Sequence, residues 1–106
     1  MTEIMTLDEL QKSIKDNKYV VVDFYATWCG PCKTLTPIME RVATQTPDVF
    51  VRKLNVEECI DVSTKYSISS LPTILFFKDN ALVNKHVGTI TEQQLLKKIN
   101  DLKNDW

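Results

Sequence analysis

An apolar stretch that ends in two closely spaced cysteines constrains this sequence more than any other feature. Residues 19–26 read YVVVDFYA, and WCGPC follows at 28–32. Valine and aromatic residues favour strands, and the lack of a clean polar alternation is typical of a central strand buried on both faces. Apolar residues recur at helical spacing after Cys32. The sequence therefore predicts a buried strand, a cysteine pair and a helix in direct succession.

The rest of the chain alternates helix and strand patterns. Capping patterns that start at Thr6 and Thr91 predict a first helix, after a brief strand, and a last helix. The other predicted elements are a helix from Cys32 to about Gln45, a strand at 49–56, a short helix at about 58–66, and two strands at 73–78 and 81–87 that form a hairpin around Asp79 and Asn80. This order predicts an α/β fold with a mixed five-stranded sheet flanked by four helices.

Length and composition limit the class of protein. A chain of 106 residues supports one hydrophobic core, so a single domain over 1–106 is expected. Thirteen basic residues nearly balance fourteen acidic ones and form no basic run, which argues against nucleic-acid binding. No segment has the apolar length of a membrane span, and the first ten residues lack the features of a secretory signal. A cytoplasmic protein without membrane contact is expected.

The spacing of Cys29 and Cys32 suits a reversible disulfide. Residues three apart in a first helical turn share one face, so the two sulfurs can come within bonding distance. A helix start offers free N–H groups and the positive end of the dipole, which favour the thiolate of Cys29, and Cys32 is expected to be more enclosed and to react second. Gly30 lets a partner chain approach, and Pro31 fixes φ where a helix needs no N–H donor.

A zinc half-site is the alternative interpretation of the pair. Only Cys59 and His86 could complete a set of four ligands, and neither belongs to a second closely spaced pair, so no metal is expected. We expect Cys59 to be an unmodified structural thiol and His86 to be an exposed strand residue.

Three further residues each allow two interpretations. Asp23 interrupts the apolar strand, where desolvation would raise the pKa of a carboxyl and make it a proton acceptor for Cys32; a frayed, solvated strand is the alternative. Lys53 is either its charge partner or a surface lysine. Pro72 precedes the strand at 73–78, and a trans turn proline fits the sequence alone better than a cis one.

Together these motifs resemble the thioredoxin family over almost the whole chain. VDFYATWCGPCK at 22–33, Pro37, KLNV at 53–56, LPT at 71–73 and Gly88 stand in the order and at the spacing of that family. The resemblance implies the thioredoxin fold and a protein-disulfide reductase, a general redox carrier that works through a Cys29–Cys32 disulfide and needs no bound cofactor. A binding subunit of a larger assembly stays open as an alternative function.

The resemblance also implies residue roles. Cys29 would attack the substrate and Cys32 would resolve the mixed disulfide, with Asp23 as the buried acid and Lys53 as its neighbour. Pro72 would be a cis proline opposite the disulfide. The implied substrate surface consists of Trp28, Gly30, Pro31, Leu71, Pro72, Gly88 and Thr89, with the backbone of Leu71 pairing to the substrate.

The partners implied by the resemblance are thioredoxin reductase, supplied by NADPH, and proteins that contain disulfides. A monomer is expected. An oxidase or isomerase of the secretory pathway is a third possibility, but such relatives usually carry a His between the cysteines, where this chain has Gly30 and Pro31.

Overall fold

A computed structural model describes all residues from Met1 to Trp106 and confirms the predicted α/β fold. The elements in chain order are β1 (Thr2–Ile4), α1 (Leu7–Asp16), β2 (Tyr19–Tyr25), α2 (Gly30–Gln45), β3 (Phe50–Asn55), α3 (Ile60–Lys65), β4 (Thr73–Lys78), β5 (Ala81–Val87) and α4 (Glu92–Asn104). The strands form one sheet in the order β1-β3-β2-β4-β5. Strands β1, β3 and β2 are parallel to one another, and β4 and β5 are antiparallel to their neighbours.

Two hydrophobic cores cover the two faces of the sheet. Alternate residues of β2 point to opposite faces, so Val21 packs with α2 and α4 while Val20 and Val22 pack with α1 and α3. Leu35 and Leu95 on the first side, and Leu10 on the second, are fully buried. Strand β2 is therefore covered on both faces, as the continuous apolar run predicts.

Local sequence signals explain where several elements begin and turn. The Thr91 hydroxyl accepts the Gln94 N–H at 3.1 Å, and the Gln94 side chain accepts the Thr91 N–H at 3.1 Å, which completes a capping box at the start of α4. Asp79 and Asn80 have φ values of 50° and 68°, and Asn and Asp tolerate this left-handed region better than most residues. The hairpin predicted at this pair is confirmed.

Two sequence-based expectations differ from the structure. Helix α2 begins at Gly30 rather than at Cys32, because Cys29 itself caps the helix. The Leu71–Pro72 bond is cis, so the trans proline favoured by the sequence alone is wrong, and the expectation from the family resemblance is right. The trans form of an X-Pro bond is favoured by only about 0.5–1 kcal/mol, so tertiary surroundings rather than local sequence decide the isomer.

Candidate active site

The cysteine pair lies where β2 ends and α2 begins. Cys29 is the N-cap residue of α2, and its sulfur accepts the backbone N–H of Cys32 at 3.2 Å. The two cysteines are joined by a disulfide, with their Cα atoms 5.3 Å apart. A helix start leaves backbone N–H groups without partners, and here one of them points at the sulfur of Cys29. This arrangement stabilises negative charge on Cys29 when the disulfide is reduced.

Burial alone separates the two sulfurs poorly. Cys29 is 4% exposed and Cys32 is 1% exposed, so the expected greater enclosure of Cys32 holds by only a small margin. Both pack with Ala26, and the half-buried Leu71 contacts the same cluster. The hydrogen bond to the Cys29 sulfur, rather than solvent exposure, is what distinguishes the two cysteines in this structure.

Asp23 is buried in β2, six residues before Cys29 in the chain. It is 1% exposed, and neither carboxylate oxygen has a hydrogen-bond partner. Burial raises the pKa of Asp23 to about 7, and the charge of Lys53 opposes this rise. Lys53 lies opposite Asp23 in the β2–β3 register and forms no salt bridge. The strand does not fray at Asp23, so the solvated alternative is wrong.

A cavity of about 290 Å³ opens beside Cys32. Its lining includes Tyr25 from the end of β2, and Lys33 and Thr36 from α2. A space of this size holds several water molecules. Water in this cavity would provide a route for protons between solvent and Cys32.

The remaining residues expected at the substrate surface lie in three segments: Trp28 with the first two residues of α2, the loop before β4, and the loop after β5. Trp28 is 69% exposed, and Gly30 and Pro31 beside it are also exposed. From the loop before β4, Leu71 is half-buried and contacts the cysteine cluster, whereas Pro72 is buried.

The loop after β5 is joined to the loop before β4 by one hydrogen bond. The Gly88 N–H donates to the Pro72 carbonyl at 2.8 Å, and Thr89 next to it is exposed. The φ of Gly88 is +97°, a conformation that only glycine adopts without strain. The structure thus connects Gly88 to Pro72 and Leu71 to the cysteines.

Two hydrogen bonds near the site join residues far apart in the sequence, and sequence reasoning missed both. The Thr27 hydroxyl donates to Glu57 at 3.1 Å and thereby ties the loop before Cys29 to the loop after β3. The Tyr25 hydroxyl donates to Glu3 of β1 at 2.6 Å. Neither pairing has a local signal, because each depends on the order of strands in the sheet.

The other candidate ligands lie apart from the pair. Cys59 is buried, its thiol donates to the Met5 carbonyl at 2.7 Å, and burial together with Asp61 raises the pKa of the thiol. His86 is half-exposed on β5, with Nε2 3.1 Å from the Thr89 carbonyl oxygen. No three Cys, His, Asp or Glu side chains converge on a point where they could hold a metal ion. No helix has the length and apolar character needed to cross a membrane.

An α/β sheet that delivers a Cys-x-x-Cys disulfide to the first turn of a helix defines the class of thiol-disulfide oxidoreductases. Within that class, the thioredoxin family model matches residues 1–101. The chain therefore belongs to the thioredoxin family, as the sequence resemblance implies. Its active site is the Cys29–Cys32 pair, and its chemistry is dithiol–disulfide exchange.

Similar proteins agree in sequence and in fold. Thioredoxin of Mycoplasmoides gallisepticum is 43% identical over 95 residues, which cover 90% of this chain and 95% of that protein. Thioredoxin-1 of Saccharomyces cerevisiae is 46% identical over 83% of this chain and 85% of its own length. The oxidised mitochondrial thioredoxin 3 of the same yeast superposes with a TM-score of 0.89 at 37% identity, over 95% of this chain and 94% of that one.

Proposed function

We propose that this chain is a general protein-disulfide reductase in which Cys29 attacks, Cys32 resolves and Asp23 handles the proton. One observation carries the assignment of roles: the N–H of Cys32 donates to the sulfur of Cys29, and no equivalent donor reaches Cys32. The sulfur that accepts this bond is the one whose thiolate the helix start stabilises. Cys29 is therefore the nucleophile.

The first step forms a mixed disulfide. The Cys29 thiolate attacks one sulfur of a substrate disulfide, a Cys29–substrate bond forms, and the other substrate sulfur leaves as a thiolate. Gly30 supports this approach, because it is exposed beside Cys29 and a Cβ placed on it would meet no atom within 4 Å beyond its chain neighbours and its own helix. A substrate chain can therefore come close to the sulfur.

The second step releases reduced substrate. Asp23 accepts the Cys32 proton, directly or through water, and the Cys32 thiolate attacks the Cys29 sulfur to form the intramolecular disulfide. The second substrate sulfur leaves and takes up a proton. Two electrons have then passed from the dithiol to the substrate. A carboxyl with a pKa of about 7 suits this task, since it exchanges protons readily at neutral pH.

Substrate recognition is assigned to the exposed residues around the pair. Trp28, Gly30 and Pro31 supply one side, and Leu71, Pro72, Gly88 and Thr89 supply the other. The Leu71 N–H and carbonyl make no hydrogen bond within the chain, so they are free to pair with an extended substrate segment. Proteins with accessible disulfides are the proposed substrates.

Regeneration, compartment and assembly complete the proposal. A thioredoxin reductase supplied by NADPH returns the pair to the dithiol form, as expected for this family. Residues 1–106 act as one domain and as a monomer. The buried free thiol of Cys59 fits the reducing cytoplasm, where cysteines persist unpaired.

An NADPH-coupled insulin-reduction assay with thioredoxin reductase tests the proposal. The wild-type protein and a Cys59→Ser control are expected to turn over at similar rates, and Cys29→Ser is expected to be inactive. Asp23→Asn is expected to lower turnover most at the pH values at which proton transfer from Cys32 limits the rate. Activity retained in Cys29→Ser, or an unchanged pH profile in Asp23→Asn, would contradict these roles.

A further inference from the structure

Three charged residues occupy one row across the sheet. Glu3 of β1 lies opposite Lys53 of β3, and Lys53 lies opposite Asp23 of β2. Paired residues on neighbouring strands share a face, so all three side chains point to the side covered by α2. Lys53 therefore stands between two carboxylates and can pair with either.

Tyr25 affects which of the two carboxylates Lys53 pairs with. It lies on the same face of β2 as Asp23, two residues further along, and its hydroxyl donates to Glu3 at 2.6 Å. The ammonium of Lys53 lies 5.8 Å from the centre of the Tyr25 ring and forms no salt bridge with Glu3. The tyrosine thus occupies the carboxylate that would otherwise compete for Lys53.

We propose that Glu3 and Tyr25 are positioning residues for the buried acid: the Tyr25 hydroxyl holds the Glu3 carboxylate away from Lys53 and leaves the lysine charge to act on Asp23. This inference deepens the proposed proton role of Asp23 and rests on it. Tyr25 also packs against the cluster that contains the cysteines, but in the proposed reaction neither Glu3 nor Tyr25 forms a bond or transfers a proton. The proposed effect of both residues on the reaction is exerted through Lys53.

Few other charged groups lie near enough to Asp23 to affect its carboxylate. Lys53 is the charge that acts on Asp23, Glu3 lies in the same row, and Tyr25 follows two residues along β2. Glu58, after β3, acts on Tyr25, and the cysteine pair lies further along the chain, where α2 begins. On the other side of β2, the neighbour of Asp23 in β4 is the apolar Ile74, and His86 lies one strand further away. The charge balance at Asp23 is therefore controlled from the β1 edge.

The proposal predicts opposite effects for two conservative changes. Tyr25→Phe removes the hydroxyl and frees Glu3 to pair with Lys53, so the field that favours the Asp23 carboxylate weakens and the pKa of Asp23 rises. Glu3→Gln removes the competing charge and keeps an acceptor for the Tyr25 hydroxyl, so the pKa of Asp23 falls. Each shift is expected to be about half a pH unit, as for partly screened charges at this range.

The double variant separates charge from burial. In a protein that lacks the Glu3 carboxylate, Tyr25→Phe cannot free a carboxylate to pair with Lys53. The pKa of Asp23 in Glu3→Gln/Tyr25→Phe is therefore expected to lie close to its pKa in Glu3→Gln alone. If Tyr25→Phe instead acted by making the site less polar, the pKa would rise equally in both backgrounds. Asp105→Asn, which removes an exposed carboxylate at the end of α4 outside this row, is the control.

The decisive measurement is the titration of the Asp23 carboxyl carbon by NMR in the oxidised protein, because this readout needs no turnover. Opposite shifts in the single variants, with loss of the Tyr25→Phe effect in the double variant, support the proposal. Equal effects in both backgrounds, shifts in the same direction, or no shift overturn it. The pH profile of insulin reduction is then compared: if Asp23 shifts as expected but the profile does not follow, the proton role of Asp23 fails while the positioning of its charge stands.

Discussion

The backbone N–H of Cys32 lies 3.2 Å from the sulfur of Cys29, the residue that caps the helix to which Cys32 belongs. The second cysteine thereby supplies, through its main chain, part of the stabilisation of the first. Because this donor belongs to the backbone, replacing the Cys32 side chain leaves it in place. The roles of the two thiols can therefore be tested by substitution without removing the helix cap.

Cys32→Ser is expected to accumulate a covalent complex with a disulfide substrate, and Cys29→Ser is expected to form none. The serine variant keeps the attacking thiolate and its N–H donor but lacks the thiol that breaks the mixed disulfide. Non-reducing electrophoresis detects the complex, dithiothreitol removes it, and mass spectrometry locates the bond. The experiment is done in a Cys59→Ser background, so that only the pair can react. An adduct on Cys32 in the Cys29→Ser protein would reverse the assignment.

Asp23→Asn is expected to stabilise the oxidised protein, and increasingly so as the pH rises from about 4 to 7. The native pKa of Asp23 is raised to about 7, so the unfolded chain loses its proton first and the free energy of unfolding falls across this range. Three pKa units correspond to about 4 kcal/mol, which the amide removes from the pH dependence. Urea denaturation at pH 4, 6 and 8 measures the effect, with the exposed Asp105→Asn as control. A constant difference between Asp23→Asn and wild type at all three pH values would contradict the buried, protonated carboxyl.

Trp28→Ala is expected to raise the KM for protein substrates about tenfold while leaving the stability within about 0.5 kcal/mol of wild type. The side chain is 69% exposed, so it contributes little to the core and much to any surface that covers the pair. Steady-state insulin reduction gives KM, and urea denaturation gives stability. An unchanged KM would exclude Trp28 from the substrate surface.

Gly88→Ala is expected to lower the free energy of unfolding by about 1–2 kcal/mol, because a residue with a Cβ is strained at a φ of +97°. Crowding does not contribute, since an added Cβ would meet no atom within 4 Å at this position. Gly30→Ala has the same free space without the positive φ, so its effect on stability is expected to be smaller. Equal losses in the two variants would show that backbone conformation is not the cause.

Local chemistry explains which parts of the fold the sequence predicts. The capping box of Thr91 and Gln94 and the turn at Asp79 and Asn80 depend on residues within four positions of one another, and the structure contains both. The burial of Asp23 was predictable for a similar reason, since the apolar residues on either side of it leave the strand no exposed face.

Features that depend on strand order were not predictable in this way. The Tyr25–Glu3 bond joins residues 22 positions apart, and it requires β1 to lie beside β3 rather than at the opposite edge. The isomer of the Leu71–Pro72 bond and the near-equal burial of the two cysteines also come from packing between elements. Only the family resemblance, which carries tertiary information, anticipated the cis proline.

The disulfide joins two residues that are only three positions apart in the sequence. The folded and unfolded states, each oxidised or reduced, form a closed thermodynamic cycle. The difference in unfolding free energy between the oxidised and reduced forms must equal the difference in reduction free energy between the folded and unfolded chain. A substitution that changes this difference in unfolding free energy by 1.4 kcal/mol changes the reduction potential of the folded protein by about 30 mV. Strengthening the hydrogen bond to a Cys29 thiolate favours the reduced form and makes the protein a weaker electron donor. Two urea titrations, one in each redox state, therefore measure how far the fold itself determines the direction of electron flow.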